Sequence, residues 1–381
     1  MNYTAENLVR LARRDGNSIR PYLFVNPIQA KHVPADPMQM LDMCRVLAEK
    51  VQSLYPNDTF HVIGLAETAT AVAAGVAFHL KNVRTFQTTT REPAKGAEVL
   101  HFTESHSHAV EQTLRSAGLA ECLREVTRVL IIDDEVTTGN TILKLMDVIR
   151  ESCRADHLCF SIVSLLNSMT PERHEELKAL GIDCIYLARL PHEYHAETIL
   201  DISEEPDRIL TCTGSDIIPK ELFISCPADP RYVTQFADYQ YAADAFYSSV
   251  FDALFPEHVP CGRILVLGTE ECMYPAVVVG EALLRESLGF SVRVHATTRS
   301  PILPSGREGY PLFRRYQLRS MYDDHRRTFV YNLAEYDQVV IVTDAPAGQK
   351  GLADLIQALQ RENCRDIVLA RWQTQSRKEK S

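Results

Sequence analysis

Short apolar runs alternate with amphipathic stretches along most of the 381-residue chain. That alternation predicts strands separated by helices. Residues 20–26 read as a short strand. Asp36 is placed to cap a helix that starts at Pro37 and runs to about residue 54. Residues 60–65 read as a strand, 67–80 as an alanine-rich helix and 83–87 as a strand. Residues 88–108 are polar and dense in His, Thr and Glu, the pattern of a long loop. Val129, Leu130, Ile131 and Ile132 are the continuous run of a strand buried on both faces. Over 139–153, Ile142, Leu143, Leu145, Met146 and Ile149 share one helical face. A strand at 158–166 follows, then a helix from Thr170-Pro171 that stops at Gly181. Residues 211–230, with their prolines and cysteines, read as a join between domains. The alternation then resumes: helix 239–255, strand 264–267, helix 276–288, strand 292–296, strand 339–342, helix 352–361 and strand 367–370. Residues 377–380 read as a frayed, charged tail. The fold class is α/β: a parallel sheet flanked by crossover helices, followed by a second α/β domain.

Three segments of the first half recur in the second, in the same order. Val62-Ile63-Gly64-Leu65-Ala66-Glu67-Thr68 is echoed by Val266-Leu267-Gly268-Thr269-Glu270-Glu271-Cys272. Thr89-Thr90-Arg91-Glu92-Pro93 is echoed by Thr297-Thr298-Arg299-Ser300-Pro301. Val129-Leu130-Ile131-Ile132-Asp133-Asp134 is echoed by Val339-Val340-Ile341-Val342-Thr343-Asp344. The second domain reads as a diverged duplicate of the first. The alternative is that two doubly wound sheets resemble each other by chance.

Composition narrows the function classes. Apolar residues make up 45% of the chain, enough for two domain cores. No apolar run has the length of a membrane span, and the first residues lack a secretory pattern, so neither a membrane nor export is expected. The formal net charge of −10 argues against nucleic acid as a partner. Ten scattered cysteines without a Cys-x-x-Cys pair argue against a zinc ribbon or a disulfide framework, and fit a cytoplasmic location.

The densest chemistry follows the run 129–132. Two aspartates, Asp133 and Asp134, lead into Thr137-Thr138-Gly139-Asn140-Thr141, and a helix begins there. In an open parallel sheet, ligands sit at the carboxyl ends of strands. The N–H groups of such a loop converge at a helix N-terminus and suit a dianionic phosphate. The two carboxylates, one sugar-length away, would accept hydrogen bonds from ribose hydroxyls, directly or through Mg2+. The plainer alternative is an acidic pair that caps the helix or binds metal.

This segment resembles the 5-phosphoribosyl 1-diphosphate (PRPP) motif of type I phosphoribosyltransferases. More narrowly, the chain is similar to the orotate-phosphoribosyltransferase-like proteins of tellurium-resistance gene clusters. These carry a C-terminal TRSP domain named for Thr-Arg-Ser-Pro, present here as Thr298-Arg299-Ser300-Pro301. The resemblance implies a phosphoribosyltransferase domain over 1–215 and a TRSP domain over 216–381. It implies that Asp133 and Asp134 hold the ribose hydroxyls and the metal, while Thr137, Thr138, Gly139, Asn140 and Thr141 hold the 5-phosphate. It implies PRPP and a nucleobase-like acceptor as ligands, with Mg2+ as cofactor; a homodimer stays open.

Three further regions are candidates. Ala66, Glu67, Thr68, Ala69 and Thr70 follow a strand-end glycine and open a helix, so their N–H groups can cradle a pyrophosphate. The corresponding loop of type I enzymes does so; the alternative is an ordinary strand-to-helix turn. Glu67 is unusual facing an anion, and would reach Mg2+ or a basic neighbour. The loop 88–108 resembles the mobile lid of related enzymes, with Arg91, Lys95, His106 and His108 as catalytic candidates that neutralise departing pyrophosphate. A solvated helix start or a zinc site is the alternative for the histidines. Lys31 and His32 are weaker candidates for a hood over the acceptor, against a surface turn. In the second half, Arg299, Asp323, Asp324, His325 and Arg326 are candidates for an acceptor site or a separate active site. The alternative there is an interdomain salt-bridge network.

The reaction implied is displacement of pyrophosphate from C1 of PRPP by a nitrogen nucleophile, through an oxocarbenium-like transition state. Positioning and charge stabilisation dominate such a step. Purine-salvage relatives often carry an Asp where Thr137 stands, so the resemblance favours an orotate-like acceptor. A non-catalytic PRPP-binding regulator and an interaction scaffold are the rival readings. A PRPP synthetase would need an ATP site that the sequence does not show.

Overall fold

The computed structural model describes residues 3–17, 20–93, 96–102, 112–155, 157–190, 196–254, 261–286 and 289–374. Contacts divide the chain into two interleaved units. The first comprises Met1–Ala5, Leu41–Tyr194 and Pro227–Ala242. The second comprises Glu6–Met40, His195–Cys226 and Ala243–Ser381. A single cut between 215 and 216 therefore describes the order of the chain and not its spatial units. No helix among the described residues is long and apolar enough to cross a membrane.

The first unit is built on a six-stranded sheet. Its order is Thr234–Gln235, Val83–Thr88, Phe60–Gly64, Arg128–Val136, Cys159–Asn167 and Asp183–Arg189. Every neighbouring pair is parallel except the edge pair made by Thr234–Gln235. Phe60–Gly64 is buried throughout, as is Arg128–Val136 up to Ile132, which is why 129–132 reads as an unbroken apolar run; the other strand carries the buried His61. Ile142, Leu145, Met146 and Ile149 of helix Asn140–Cys153 join Val129 and Ile131 in one core cluster. Leu145 is fully buried there, so truncating it to Ala costs about 2–5 kcal/mol. Thr170 caps helix Pro171–Ala179 by accepting from the Arg173 N–H at 3.2 Å.

The second unit carries a five-stranded parallel sheet in the order Lys220–Cys226, Asp366–Thr374, Gln338–Thr343, Cys261–Gly268 and Gly289–Ala296. Two smaller sheets belong to this unit: Ile209–Thr211 with Arg315–Arg319 and Arg327–Tyr331, and the pair Arg10–Arg13 with Tyr22–Val25. Helix Pro37–Leu54 begins as expected, with Asp36 Oδ1 accepting from the N–H groups of Met38 and Gln39 at 2.8 and 3.2 Å.

The two main sheets repeat one another in register. Gly64 pairs with Thr88 and Ile132; Gly268 pairs with Ala296 and Val342. The connecting bonds repeat too. The N–H of Thr89 donates to Gly64 O at 2.9 Å, and that of Thr297 to Gly268 O at 3.0 Å. The N–H of Ala66 donates to Thr89 Oγ1 at 2.8 Å, and that of Glu270 to Thr297 Oγ1 at 3.0 Å. Thr90 exchanges backbone hydrogen bonds with Thr113, as Thr298 does with Phe329. Chance likeness of two sheets does not account for the same side-chain hydroxyls making the same bonds. The copies differ at both edges: among the described residues no strand in the second sheet corresponds to Thr234–Gln235. The position of Asp183–Arg189 is filled in the second unit by Lys220–Cys226, which precedes the rest of its sheet in sequence.

Several expectations are corrected. Residues 220–226 of the supposed join form a strand. The strand expected to end at Ile132 continues to Val136, because parallel pairing with Cys159–Asn167 carries on past the acidic pair. Within the expected loop, Val99–His101 pairs with Thr113–Arg115. The helix expected from residue 67 starts at Thr70, after a turn.

Candidate functional site in the first unit, and the family

Strand Arg128–Val136 carries its acidic residues to the carboxyl edge of the sheet, where Asp133 and Asp134 are half-buried. Alternation along the strand sends Asp133 to the face of Val129 and Ile131, and Asp134 to the opposite face. On that face Asp134 Oδ1 accepts from the Thr68 hydroxyl at 2.8 Å, so the acidic strand end is tied to the turn after Phe60–Gly64. Asp133 Oδ1 accepts from the Asp134 N–H at 2.9 Å. Burial raises the Asp133 carboxyl well above the ordinary carboxylate range, and the neighbouring Asp134 charge raises it further. A cation beside the pair would relieve both effects.

The next residues leave the corner open. Thr137, Thr138, Asn140 and Thr141 are exposed, while Gly139 is buried at φ +73° as the residue before the helix. A β-carbon at Gly139 would stand 3.1 Å from Met169 Cε, so both backbone and space select glycine. Arg173, in the first turn of helix Pro171–Ala179, braces this loop. Its Nε donates to Thr138 O at 2.9 Å and a terminal nitrogen donates to Asn140 Oδ1 at 2.8 Å. The same guanidinium also pairs with Glu176 Oε2 at 2.9 Å.

The turn 65–69 completes the corner. A β-carbon at Gly64 would meet Ala73 Cβ at 2.6 Å, so glycine permits the helix Thr70–His79 to pack back on the strand. The Ala66–Glu67 peptide bond is cis, and Glu67 is buried. Of the five expected pyrophosphate residues, Ala66 and Ala69 already use their N–H groups, on Thr89 Oγ1 and Leu65 O respectively. Among the expected lid residues, Arg91 follows the Thr89–Thr90 segment and is half-buried. Lys95, His106 and His108 lie outside the described residues.

The donor set fits Mg2+. It is made of oxygens, and Mg2+ keeps several waters while taking further ligands from phosphates. Among the described residues no group of three or more His, Cys, Asp and Glu is placed to hold a metal by itself.

A family model for a phosphoribosyl transferase matches residues 8–190, and a model for the TRSP domain found C-terminal to it matches residues 238–359. The chain belongs to the phosphoribosyltransferases that carry a TRSP domain. Comparison with curated proteins finds no match. Solved structures similar to this phosphoribosyltransferase include the adenine phosphoribosyl transferase of Trypanosoma brucei, at 16% identity over 56% of this chain and 86% of that one, TM-score 0.36. The adenine enzyme of Leishmania tarentolae shows 17% identity over 50% and 88%, TM-score 0.34. The orotate phosphoribosyltransferase of Aeropyrum pernix shows 18% over 50% and 90%, TM-score 0.31.

The second unit's candidates separate into two groups. Arg299 and Arg326 converge on Glu270: Arg299 Nε lies 2.6 Å and an Arg326 terminal nitrogen 3.1 Å from Glu270 Oε2. Asp323, Asp324 and His325 are used elsewhere. Asp323 Oδ1 accepts from the His325 N–H at 2.9 Å, and Asp324 Oδ1 accepts from the first N–H of helix Lys350–Arg361 at 2.9 Å. Arg299, Arg326 and Glu270 all belong to the second unit, so this pairing is internal to it. Lys31 is no hood over an acceptor. It is fully buried in the second unit, its Nζ donating to Glu270 O at 2.7 Å and Thr297 O at 3.2 Å. His32, beside it, is buried as well.

Sequence reasoning missed Arg173 and Thr89 in the first corner and the ion-paired Glu270 in the second unit. Thr89 had a signal, since the Thr-Thr-Arg segment recurs as Thr297-Thr298-Arg299. Arg173 had none, because its partners lie 33 and 35 residues away.

Proposed function

We propose that the chain transfers the 5-phosphoribosyl group of magnesium-bound PRPP to a ring nitrogen of a base, releasing pyrophosphate. The observation that carries this reading is the open corner at the end of Arg128–Val136: half-buried carboxylates beside an exposed Thr137–Thr141 loop that Arg173 braces. The loop would receive the 5-phosphate on N–H groups and hydroxyls at the start of helix Asn140–Cys153. Asp133 and Asp134 would accept from the ribose 2′- and 3′-hydroxyls, with Thr68 setting the orientation of Asp134. The turn 65–69 and Arg91 would face the pyrophosphate. Bound Mg2+ would neutralise charge on the pyrophosphate and the acidic pair.

In the reaction the C1–O bond to pyrophosphate breaks, its electron pair leaving with the pyrophosphate. A C1–N bond forms from the lone pair of the base nitrogen, which loses its proton to the surrounding water. Little bonding to either partner is needed at the transition state, so holding the sugar between two anion sites supplies much of the rate. Purine-salvage members of the type I family often carry an Asp where Thr137 stands, so the exposed Thr137 favours an orotate-like acceptor.

The test is pyrophosphate release from PRPP and Mg2+ across a panel of pyrimidine, purine and non-nucleobase acceptors, with products weighed by mass spectrometry. Release with formation of one ribonucleotide mass is expected. Tight PRPP binding without release for any acceptor would instead support a regulator.

A further inference from the structure

The two copies keep the same frame at the ends of Phe60–Gly64 and Cys261–Gly268, yet one position is filled in opposite ways. In the first unit it is Ala66, whose methyl brings no charge. In the second it is Glu270, held by the same backbone bond to a threonine hydroxyl. The Glu270 side chain is 1% exposed, and its carboxylate is surrounded by cations and donors. Oε2 takes Arg299 and Arg326; Oε1 takes the Ser320 hydroxyl; an Arg326 nitrogen also donates to Ser320 Oγ at 3.0 Å. Two guanidinium groups and a hydroxyl closing on two oxygens is how proteins hold a phosphate or carboxylate ligand. Here the oxygens belong to the chain itself.

The setting argues that this is more than a surface ion pair. Glu270 sits at φ +47°, a conformation that a non-glycine side chain rarely adopts. Lys31 Nζ pins the carbonyl of the same residue from a segment far away in sequence. Arg299, the arginine of the Thr298-Arg299-Ser300-Pro301 signature, corresponds in the repeat to Arg91. The residue aligned with Glu270 in the first unit is Ala66, so only the second copy has a carboxylate at that position.

We propose that Glu270 is a built-in anion: its carboxylate occupies, in the second unit, the place that a phosphate takes in the equivalent corner of the first, and closes that unit to phosphorylated ligands. This rests on reading the first corner as an anion site. The TRSP domain is then a copy whose oxyanion site is permanently filled from within, and its two arginines serve to hold the turn rather than a substrate.

The test is calorimetric titration of the full chain with inorganic pyrophosphate, comparing wild type with Glu270→Ala. The variant should bind one equivalent more than wild type, and adding Arg326→Ala to it should remove that equivalent. The increment is independent of the first unit. If wild type binds none and Glu270→Ala binds one, Glu270 still fills an anion site of the second unit, and only its likeness to the first corner is lost. Equal stoichiometry in wild type and a folded Glu270→Ala protein overturns the proposal. Should Glu270→Ala fail to fold, wild-type crystals soaked in pyrophosphate decide. Glu270 retained between the arginines supports the proposal, and pyrophosphate bound to Arg299 and Arg326 overturns it.

Discussion

The corner of the first unit and its counterpart in the second share strand register, a glycine at the strand end and a threonine hydroxyl that accepts from the following turn. They part at the side chains. The first presents Asp133, Asp134 and an exposed Thr137–Thr141 loop. The second has Thr343 and Asp344 in the equivalent places, with Thr269 Oγ1 donating to Thr343 Oγ1 at 2.7 Å and the Tyr322 hydroxyl donating to Asp344 Oδ1 at 2.5 Å. The first corner leaves the polar loop Thr137, Thr138, Asn140 and Thr141 exposed, and the second ties Thr343 and Asp344 to Thr269 and Tyr322. A backbone frame can therefore persist while the chemistry it once presented is closed off by a few substitutions.

The sharpest way to break the comparison is to insert the same side chain into both copies. Gly139→Val meets both a left-handed backbone and Met169, so PRPP affinity should fall by about 100-fold and stability by about 2 kcal/mol. Gly348→Val, at φ +85° with nothing within 4 Å of its β-carbon, should cost about 1 kcal/mol and leave PRPP binding unchanged. Titration calorimetry and denaturant melts read both. Equal loss of binding in the two variants would end the assignment of the site to the first unit.

A smaller effect is expected at Arg173. Arg173→Ala removes the brace on Thr138 and Asn140, and should raise the PRPP dissociation constant about tenfold with little change in melting temperature. Arg173→Lys should not restore it, since a single ammonium does not reproduce the fork. Full rescue by Lys would mean that charge alone matters.

Asp133 gives a prediction of sign. Its carboxyl is raised in the folded state, so the folded chain holds that proton more tightly than the unfolded chain. Stability from this group is present at low pH and is lost as pH rises from about 3.8 through the raised value. Asp133→Asn should thus melt higher than wild type at neutral pH, the difference shrinking toward pH 4, while PRPP binding weakens. A lower melting point at pH 7 would show that the buried carboxylate is compensated after all.

The smallest expected difference concerns two buried histidines, one per sheet. Burial lowers His61 to about 3 and His295 to about 4. Both stay neutral when folded, so each removes stability as pH falls below 6.5, at about 1.4 kcal/mol per pH unit. His61→Gln should flatten roughly half of that combined slope between pH 6 and 5, read by melts across that range. An unchanged slope would show that His61 is protonated in the fold.

Much of this was legible in the sequence where burial is two-sided. The strands at 60–64 and 128–136 lie in mid-sheet, and the continuous apolar run 129–132 follows from burial on both faces. Lys220–Cys226 was hidden because it is an edge strand after Pro219, with Lys220, Phe223 and Ser225 exposed. Arg315–Arg319 was hidden because its arginines are neutralised by distant acids: Arg315 by Asp15 at 2.7 Å and Arg319 by the fully buried Asp354 at 2.5 Å. At the site, the apolar run breaking into two acids marked the corner, since few folds need carboxylates at a buried strand end. Glu270 escaped notice because two glutamates in a turn ordinarily mean solvent, and its cationic partners come from residues 299 and 326.

The central claim is that a phosphoribosyl group is held where strand Arg128–Val136 gives way to helix Asn140–Cys153. Calorimetric titration of PRPP with Mg2+ into wild type and into the Asp133→Asn, Asp134→Asn double variant tests it most directly. One equivalent bound by the wild type and none measurable in a folded double variant is the predicted result. Unchanged binding after loss of both carboxylates would contradict it.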